Sequence, residues 1–287
     1  MPGFEFVKFF CARETEKTIF WRESLEKKIK QKIPAIKILE DSENFDDRID
    51  FSKNLLVTLG GDGTILKSIR SSKNLNSLIL ALNTGLAGFL SSVRNEEDFD
   101  EKLNELFERN FSILKRSILR GDLIREGKIE FSSYSLNEIL IQNLISMVNL
   151  RIFIDSMEIS PVYGSGVLVS TPTGSTAQNL SLHGPILEPS LDNIVLTRLM
   201  DHKIPIPSIV FSHKRKIEIF VEDFREKDFI LDKKGSKIDV ILSFDSCEIV
   251  PLQRKDLISI SSAGMFANFI VFEKEYFFER LNKKFKI

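Results

Sequence analysis

The first candidate for chemistry is one carboxylate set among three glycines: Gly60-Gly61-Asp62-Gly63, followed by Thr64. Glycines have no Cβ and tolerate positive φ, so a ligand can come close to the backbone of such a loop. Exposed N–H groups at a strand end suit a phosphate. A carboxylate there repels phosphate, so Asp62 needs a task, such as taking a proton or holding a metal. The competing reading is a plain strand-end turn, where Asp and Gly are common. A second candidate is Asn137-Glu138, an amide and a carboxylate inside the apolar run Leu136, Ile139, Leu140, Ile141. Both are costly to bury without partners, so they serve either a ligand or a neighbouring loop. The third is Thr171-Pro172-Thr173-Gly174-Ser175-Thr176-Ala177, with four hydroxyls. It suits phosphate oxygens, sugar hydroxyls or a base edge, or else it is a Ser/Thr-rich capped turn. No metal ligands are assigned: His183, His202 and His213 share no ligand spacing, and Cys11 and Cys247 form no metal or redox pair.

These groups must be positioned by regular elements. Asn54 to Leu59 reads as a strand buried on both faces, feeding the first glycine loop. Phe4 to Cys11 and Ile36 to Leu39 are further strands. Between them, Glu14 to Lys32 reads as a helix with Ile19, Leu25 and Ile29 inward, ending before Pro34. Thr64 opens the next helix, with Ile65, Leu66 and Ile69 on its apolar side. Leu78 to Leu82 is a strand ending in a second glycine loop, Asn83 to Phe89, and Asn95 caps a helix through Glu108. This alternation predicts an α/β domain, doubly wound with a mostly parallel sheet, whose ligands lie beyond the carboxyl ends of the strands. Past Leu114 the texture changes to short alternating segments: Ile118 to Ile124, Lys128 to Tyr134, Asn149 to Ile154, Lys216 to Glu222 and Lys237 to Phe244. They predict a β-rich, largely antiparallel C-terminal domain. Ala177 to Leu182 reads as a short helix capped by Ser175 or Thr176. The apolar segments Leu257 to Ile260 and Phe269 to Phe272 continue the second domain or return to the first; periodicity leaves both open.

The chain has 287 residues, enough for one large or two ordinary domains. Its 43% hydrophobic and 28% charged content is that of a folded protein. A net charge of −1 provides no basic field for nucleic acid or an anionic membrane. No apolar run approaches the ~18–20 residues of a membrane span. The N-terminal segment carries Glu5 and Lys8 and does not read as a signal peptide. Reduced thiols in a cytoplasmic protein are the expectation.

Taken together, Gly60-Gly61-Asp62-Gly63-Thr64, Asn83-Thr84-Gly85 with Gly88-Phe89, Asn137-Glu138, Thr171 to Ala177, and Ser243-Phe244-Asp245 resemble the NAD kinase family in order and approximate spacing. The glycine loop is shared with lipid kinases and phosphofructokinases; the Asn-Glu pair and the Thr171 to Ala177 loop are more specific. The resemblance implies transfer of the γ-phosphoryl of ATP, with Mg²⁺ or another divalent cation, to the 2′-hydroxyl of the adenosine ribose of NAD. It implies two domains, 1–114 joined by the returning tail 258–287, and a dinucleotide-binding domain 115–257. It also implies a homodimer or homotetramer with the site near a subunit contact.

By the same resemblance Asp62 is the base, and Gly60, Gly61 and Gly63 cradle phosphates through their N–H groups beside Thr64. Asn137 and Glu138 hold the adenosine part of NAD, Thr173 lies in the nucleotide loop, and Thr176 and Ala177 line the adenine. Phe89 packs on the nucleotide, and Ser181 and Asp245 lie near the dinucleotide. Four positions depart from the family: Ser165 stands where aspartate is usual, Gln178 for tyrosine, Leu86 for a basic residue and Ser246 for glycine. Ser165 and Gln178 both fall at the nicotinamide end, which this chain is expected to hold differently. The alternatives are a related lipid kinase sharing the glycine loop, or a catalytically weak NAD-binding protein.

Overall fold

The computed structural model describes residues 3–70, 72–85, 88–202, 206–227, 229–231, 235, 237–272 and 276–286. Leu86, one of the four departures, lies outside the described residues. The chain divides into two compact units, one of residues 1–116 with 266–287 and one of residues 117–265.

In chain order the elements are β1 (Phe6–Cys11), α1 (Glu16–Lys32), β2 (Lys37–Leu39), β3 (Asn54–Leu59), α2 (Asp62–Ile69), β4 (Leu78–Leu82) and α3 (Phe99–Phe107). Then come β5 (Ser112–Arg125), β6 (Lys128–Ser135), β7 (Glu138–Asn143), β8 (Val148–Ile154), β9 (Met157–Gly164), β10 (Gly166–Ser170), α4 (Gln178–Ser181) and β11 (Asn193–Leu199). The last are β12 (Ile209–Ser212), β13 (Ile217–Phe224), β14 (Val240–Phe244), β15 (Glu248–Pro251), β16 (Leu257–Val271) and α5 (Tyr276–Phe285).

In the first unit the strand order is β2-β1-β3-β4, followed by the end of β16, and all these pairs are parallel. All residues of β3 and β4 are buried, as expected of strands covered on both faces. Leu55, Val57 and Leu59 share a core with Leu25 and Ile29 of α1 and with Phe99, Leu103 and Leu106 of α3. Helix α2 packs on β3 and β1. The chain winds one way from β1 to β2 and the other way from β1 to β3. The resulting switch point opens between Cys11 and Leu59, where the glycine loop begins.

Four local expectations are corrected. Ile19 is exposed (43%), because the buried face of α1 is formed by Thr18, Leu25 and Ile29. That helix starts at Glu16 because Thr15 and Thr18 form a reciprocal cap. Helix α2 starts at Asp62 rather than Thr64, since the N–H groups of Thr64 and Ile65 already bond to Gly61 O. Asn95 precedes a 3₁₀ turn without a side-chain cap, and bonds to Asp98 instead.

The second unit is built from antiparallel strands. One sheet has the order β12-β11-β10-β7-β14-β15. Facing it are β9, β8, β13 and the first part of β16, with the β5–β6 hairpin. Alternate residues of both layers form one core: Ile139, Ile141, Val167, Val169 and Leu242 against Leu150, Ile152, Ile219, Val221 and Ile258. Thus an α/β part with a parallel sheet and a β-rich antiparallel part are both present. The two apolar C-terminal segments are one strand. Its start pairs with β13 and its end with β4.

Candidate functional site

The first unit carries the acidic loop. Asp62 is the first helical residue of α2, where a carboxylate complements the helix dipole. Its Oδ2 accepts the N–H of Phe89 at 2.8 Å and its Oδ1 that of Leu90 at 3.1 Å. A Cβ on Gly88 would lie 1.9 Å from Asp62 Oδ1, so the second loop needs glycine there for the carboxylate to reach the amides. The Gly60 N–H donates to Leu82 O at 3.0 Å, which joins the two loops and removes this amide from the expected phosphate cradle. A Cβ on Gly60 would meet Thr64 Oγ1 at 2.2 Å, so Gly60 serves packing. Gly63 is exposed with open space around its missing Cβ. The Gly61, Asp62 and Gly63 amides open α2 and have no acceptor within the helix, as at any helix start. Phe89 is half-buried.

The second unit gathers three segments at one end of neighbouring strands. Ser170 of β10 pairs with Glu138 of β7, and Ile139 with Phe244 of β14. Asn137-Glu138, the Thr171 loop and Asp245 therefore follow or precede these pairs side by side. Asp245 Oδ1 accepts the N–H groups of Asn137 and Glu138, both at 2.9 Å, and Oδ2 accepts that of Leu136 at 2.8 Å. Asp245 and Ser246 both have positive φ in the turn joining β14 and β15. Ser246 thus occupies a left-handed position where glycine carries no strain.

The Thr171 loop uses its hydroxyls on backbone groups of its own and of neighbouring segments. Thr171 Oγ1 donates to Leu136 O at 2.5 Å and Ser175 Oγ to Pro172 O at 2.6 Å. Thr176 Oγ1 donates to Thr173 O at 3.3 Å. Ser175 Oγ also accepts the Leu187 N–H. A Cβ on Gly174 would lie 2.1 Å from Asn137 O, so the loop is pressed against the Asn-Glu pair. The short helix is only Gln178–Ser181, preceded by a 3₁₀ turn at Gly174–Thr176, and Ala177 provides no side-chain cap. Consequently Ser175 and Thr176 do not cap it.

Glu138 is the exception to this internal satisfaction. It is 5% exposed, and its Oε2 has no hydrogen-bond partner among the described residues. Burial first, and then the charge of Asp245, push its pKa up to about 8. A buried carboxyl with an open oxygen fits a ligand that brings hydroxyl donors.

One expected residue, Ser165, lies apart from this cluster. Ser165 precedes β10 while Thr171 follows it, which separates them by roughly 20 Å of strand. Its Oγ donates to Met200 Sδ at 3.5 Å. Gln178 and Ala177 are half-buried and Ser181 is exposed. Asn179, not singled out in the sequence, is fully buried. It accepts from Thr197 Oγ1 at 2.7 Å and donates to Pro185 O at 3.1 Å, anchoring the short helix. An amide residue shortly after the Thr171 loop was its only signal in the sequence. Among the described residues no group of three or more His, Cys, Asp or Glu is placed to hold a metal ion, and no helix is long and apolar enough to cross a membrane.

Known proteins resemble this chain both in fold and in sequence. The fold matches a yeast NADH kinase crystallised with NADH at a TM-score of 0.81, covering 99% of this chain and 88% of that one at 21% identity. The ATP-NAD kinase N-terminal domain matches residues 9–111 and the ATP-NAD kinase C-terminal domain residues 136–271. An NAD kinase of Christiangramia forsetii is 33% identical over 253 residues, 86% of this chain and 81% of the relative. An NAD kinase of Bacteroides fragilis is 33% identical over 203 residues, 70% of this chain and 69% of the relative. By fold and sequence, then, the molecule falls among the phosphotransferases. The chain belongs to the NAD kinase family. The lipid-kinase alternative is not favoured.

Proposed function

We propose that this chain transfers the γ-phosphoryl of ATP to the 2′-hydroxyl of the adenosine ribose of NAD, producing NADP and ADP. The observation that carries this reading is the Asp62 carboxylate, held by two backbone amides at the switch point of a doubly wound sheet. An ionised carboxylate has about four lone-pair sites. After the two amide bonds, acceptor sites remain for the hydroxyl. Asp62 orients the 2′-hydroxyl and takes its proton as the oxygen attacks the γ-phosphorus. The electrons of the broken P–O bond stay on the ADP oxygen. The transition state is loose in most analyses, so fixing the hydroxyl in line matters more than base strength.

Gly61 and Gly63 present the amides that open α2 to the phosphates, with Thr64 behind them. Glu138 accepts ribose hydroxyls through its open Oε2, and Asn137 holds the adenosine beside it. Thr173, Thr176 and Ala177 shape the adenine side, and Phe89 packs on the nucleotide. Asp245 works indirectly, by fixing the backbone of residues 136–138. The first unit thus takes the phosphate role and the second the dinucleotide role.

The donor set near Asp62 is one carboxylate whose two oxygens already accept amides. It suits a divalent cation that arrives bound to ATP phosphates and water, as Mg²⁺ prefers, and this complex is the phosphoryl donor. We assign the protein to the cytoplasm, a reading that the free thiols of Cys11 and Cys247 support. The assembly we assign is a homodimer or homotetramer, which sedimentation of the purified protein tests.

Purified protein with ATP, Mg²⁺ and NAD is expected to form NADP. Asp62→Asn is expected to lower kcat by ~10²–10⁴-fold, as loss of a general base does, with NAD binding retained. NAD binding without turnover in the parent protein would leave only the weak-binder alternative.

A further inference from the structure

We propose that Arg94 and Arg280 are positioning residues for Asp62, each acting through one peptide unit of the loop at 88–90. The proposal rests on the reading of Asp62 as the base. The two amides that hold Asp62 belong to consecutive peptide units. The Phe89 N–H, bonded to Oδ2, shares its plane with the Gly88 carbonyl, and that carbonyl accepts Arg94 Nη2 at 3.4 Å. The Leu90 N–H, bonded to Oδ1, shares its plane with the Phe89 carbonyl, which accepts Arg280 Nη1 at 3.1 Å. Each carboxylate oxygen is thus tied through a rigid, planar peptide to one guanidinium.

The arrangement has a chemical logic. Guanidinium is always charged and has no acceptor, so both arginines can only donate. A cation on a carbonyl polarises the peptide and strengthens the N–H bond on its other side. Direct contact between arginine and Asp62 would give similar attraction, but it would occupy acceptor sites that the ribose hydroxyl needs. Acting through the peptide, the charge steadies the carboxylate while those sites stay available. Gly88 makes the geometry possible, because any side chain there would displace Asp62. Arg280 is 3% exposed on α5 and stands 191 residues from Phe89 in the sequence, so the last helix of the chain takes part in aiming the base.

The test is a double-mutant cycle on the full chain with ATP, Mg²⁺ and NAD. Arg280→Met keeps an unbranched, buried side chain and removes the donor. It is expected to lower kcat about tenfold, with the KM for ATP and for NAD changed less than about twofold, the signature of an interaction that aims rather than binds. Arg280→Lys is expected to recover most of the loss. In an Asp62→Asn background, where single-turnover rates are read with enzyme in excess, Arg280→Met should lower the residual rate by less than about twofold. Equal losses in both backgrounds, or an unchanged kcat in Arg280→Met, would overturn the proposal and leave the Asp62 reading standing. Full activity in Asp62→Asn alone would sink that reading and the proposal with it. Arg94→Met is carried through the same cycle, and it decides the matter if Arg280→Met does not fold.

Discussion

Replacing Gly88 by alanine separates the aim of Asp62 from its presence. The new Cβ would sit 1.9 Å from Oδ1, 2.2 Å from Cγ and 2.4 Å from Oδ2. Real Cβ contacts stay beyond 3.0 Å, so the carboxylate must withdraw by at least about 1.1 Å. Such a shift breaks the bonds from Phe89 and Leu90, which are 2.8 and 3.1 Å long in the parent. A misplacement of about 1 Å in a catalytic group can cost ~10²-fold in rate. The fold should tolerate the change: Asp62 is a flexible, half-buried side chain, and water replaces most of the two lost bonds, which would be worth about 1.5–3 kcal/mol each if left unmade. Initial-rate kinetics with varied NAD and ATP, together with urea unfolding, give both quantities. We expect kcat about 10²-fold lower and stability within about 2 kcal/mol of the parent. A Gly88→Ala enzyme with kcat within threefold of the parent, while Asp62→Asn is inactive, would show that the amide clamp does not aim the base.

Three further outcomes follow from the second unit. The pKa of Glu138 is raised from 4.5 to about 8, so between these values the folded chain binds a proton that the unfolded chain does not. Its contribution to stability is therefore flat below about pH 4.5, falls as pH rises to about 8 and is flat above, a loss of about 3–5 kcal/mol. Glu138→Gln should accordingly gain on the parent in melting temperature as pH goes from 5 to 9; a difference independent of pH would refute the assigned burial. Asp245→Asn would set an amide NH₂ group against the Leu136 N–H or the Asn137 and Glu138 N–H groups, costing about 2–4 kcal/mol in urea unfolding, whereas a change under about 0.5 kcal/mol would mean that these bonds do not form. The pair Ser165→Asp with Gln178→Tyr should lower the KM for NAD by up to about tenfold, the worth of one charge-assisted hydrogen bond, and an unchanged KM would sink the idea that this chain holds the nicotinamide end differently.

The sequence made the elements of the first unit legible because β3 and β4 are continuous apolar runs and the helix faces repeat at helical spacing. It placed Asp62, Glu138 and the Thr171 loop among the chemically unusual residues. Bond directions were less legible. Gly60 gives its amide to Leu82, Thr171 gives its hydroxyl to the Leu136 carbonyl, and Asp245 binds three amides over a hundred residues away. Each depends on a partner that register brings near, and local pattern carries no information on register across distant strands. Arg280 gave no signal at all: one arginine near the end of a chain with forty basic residues has nothing local to mark it.

Strand β16 has a consequence for the order in which the chain folds. Its first residues complete the antiparallel layer beside β13, and its last residues extend the parallel sheet beside β4, with sequence separations of about 40 and 190 residues. Both cores therefore wait for the segment Leu257–Val271. Until then β4 and β13 each expose an open edge, the state most open to wrong pairing. The long loop that must close between β4 and its partner is a large entropic step before any contact rewards it. Folding of both units should accordingly be slow, and should depend on the chain being present through Val271.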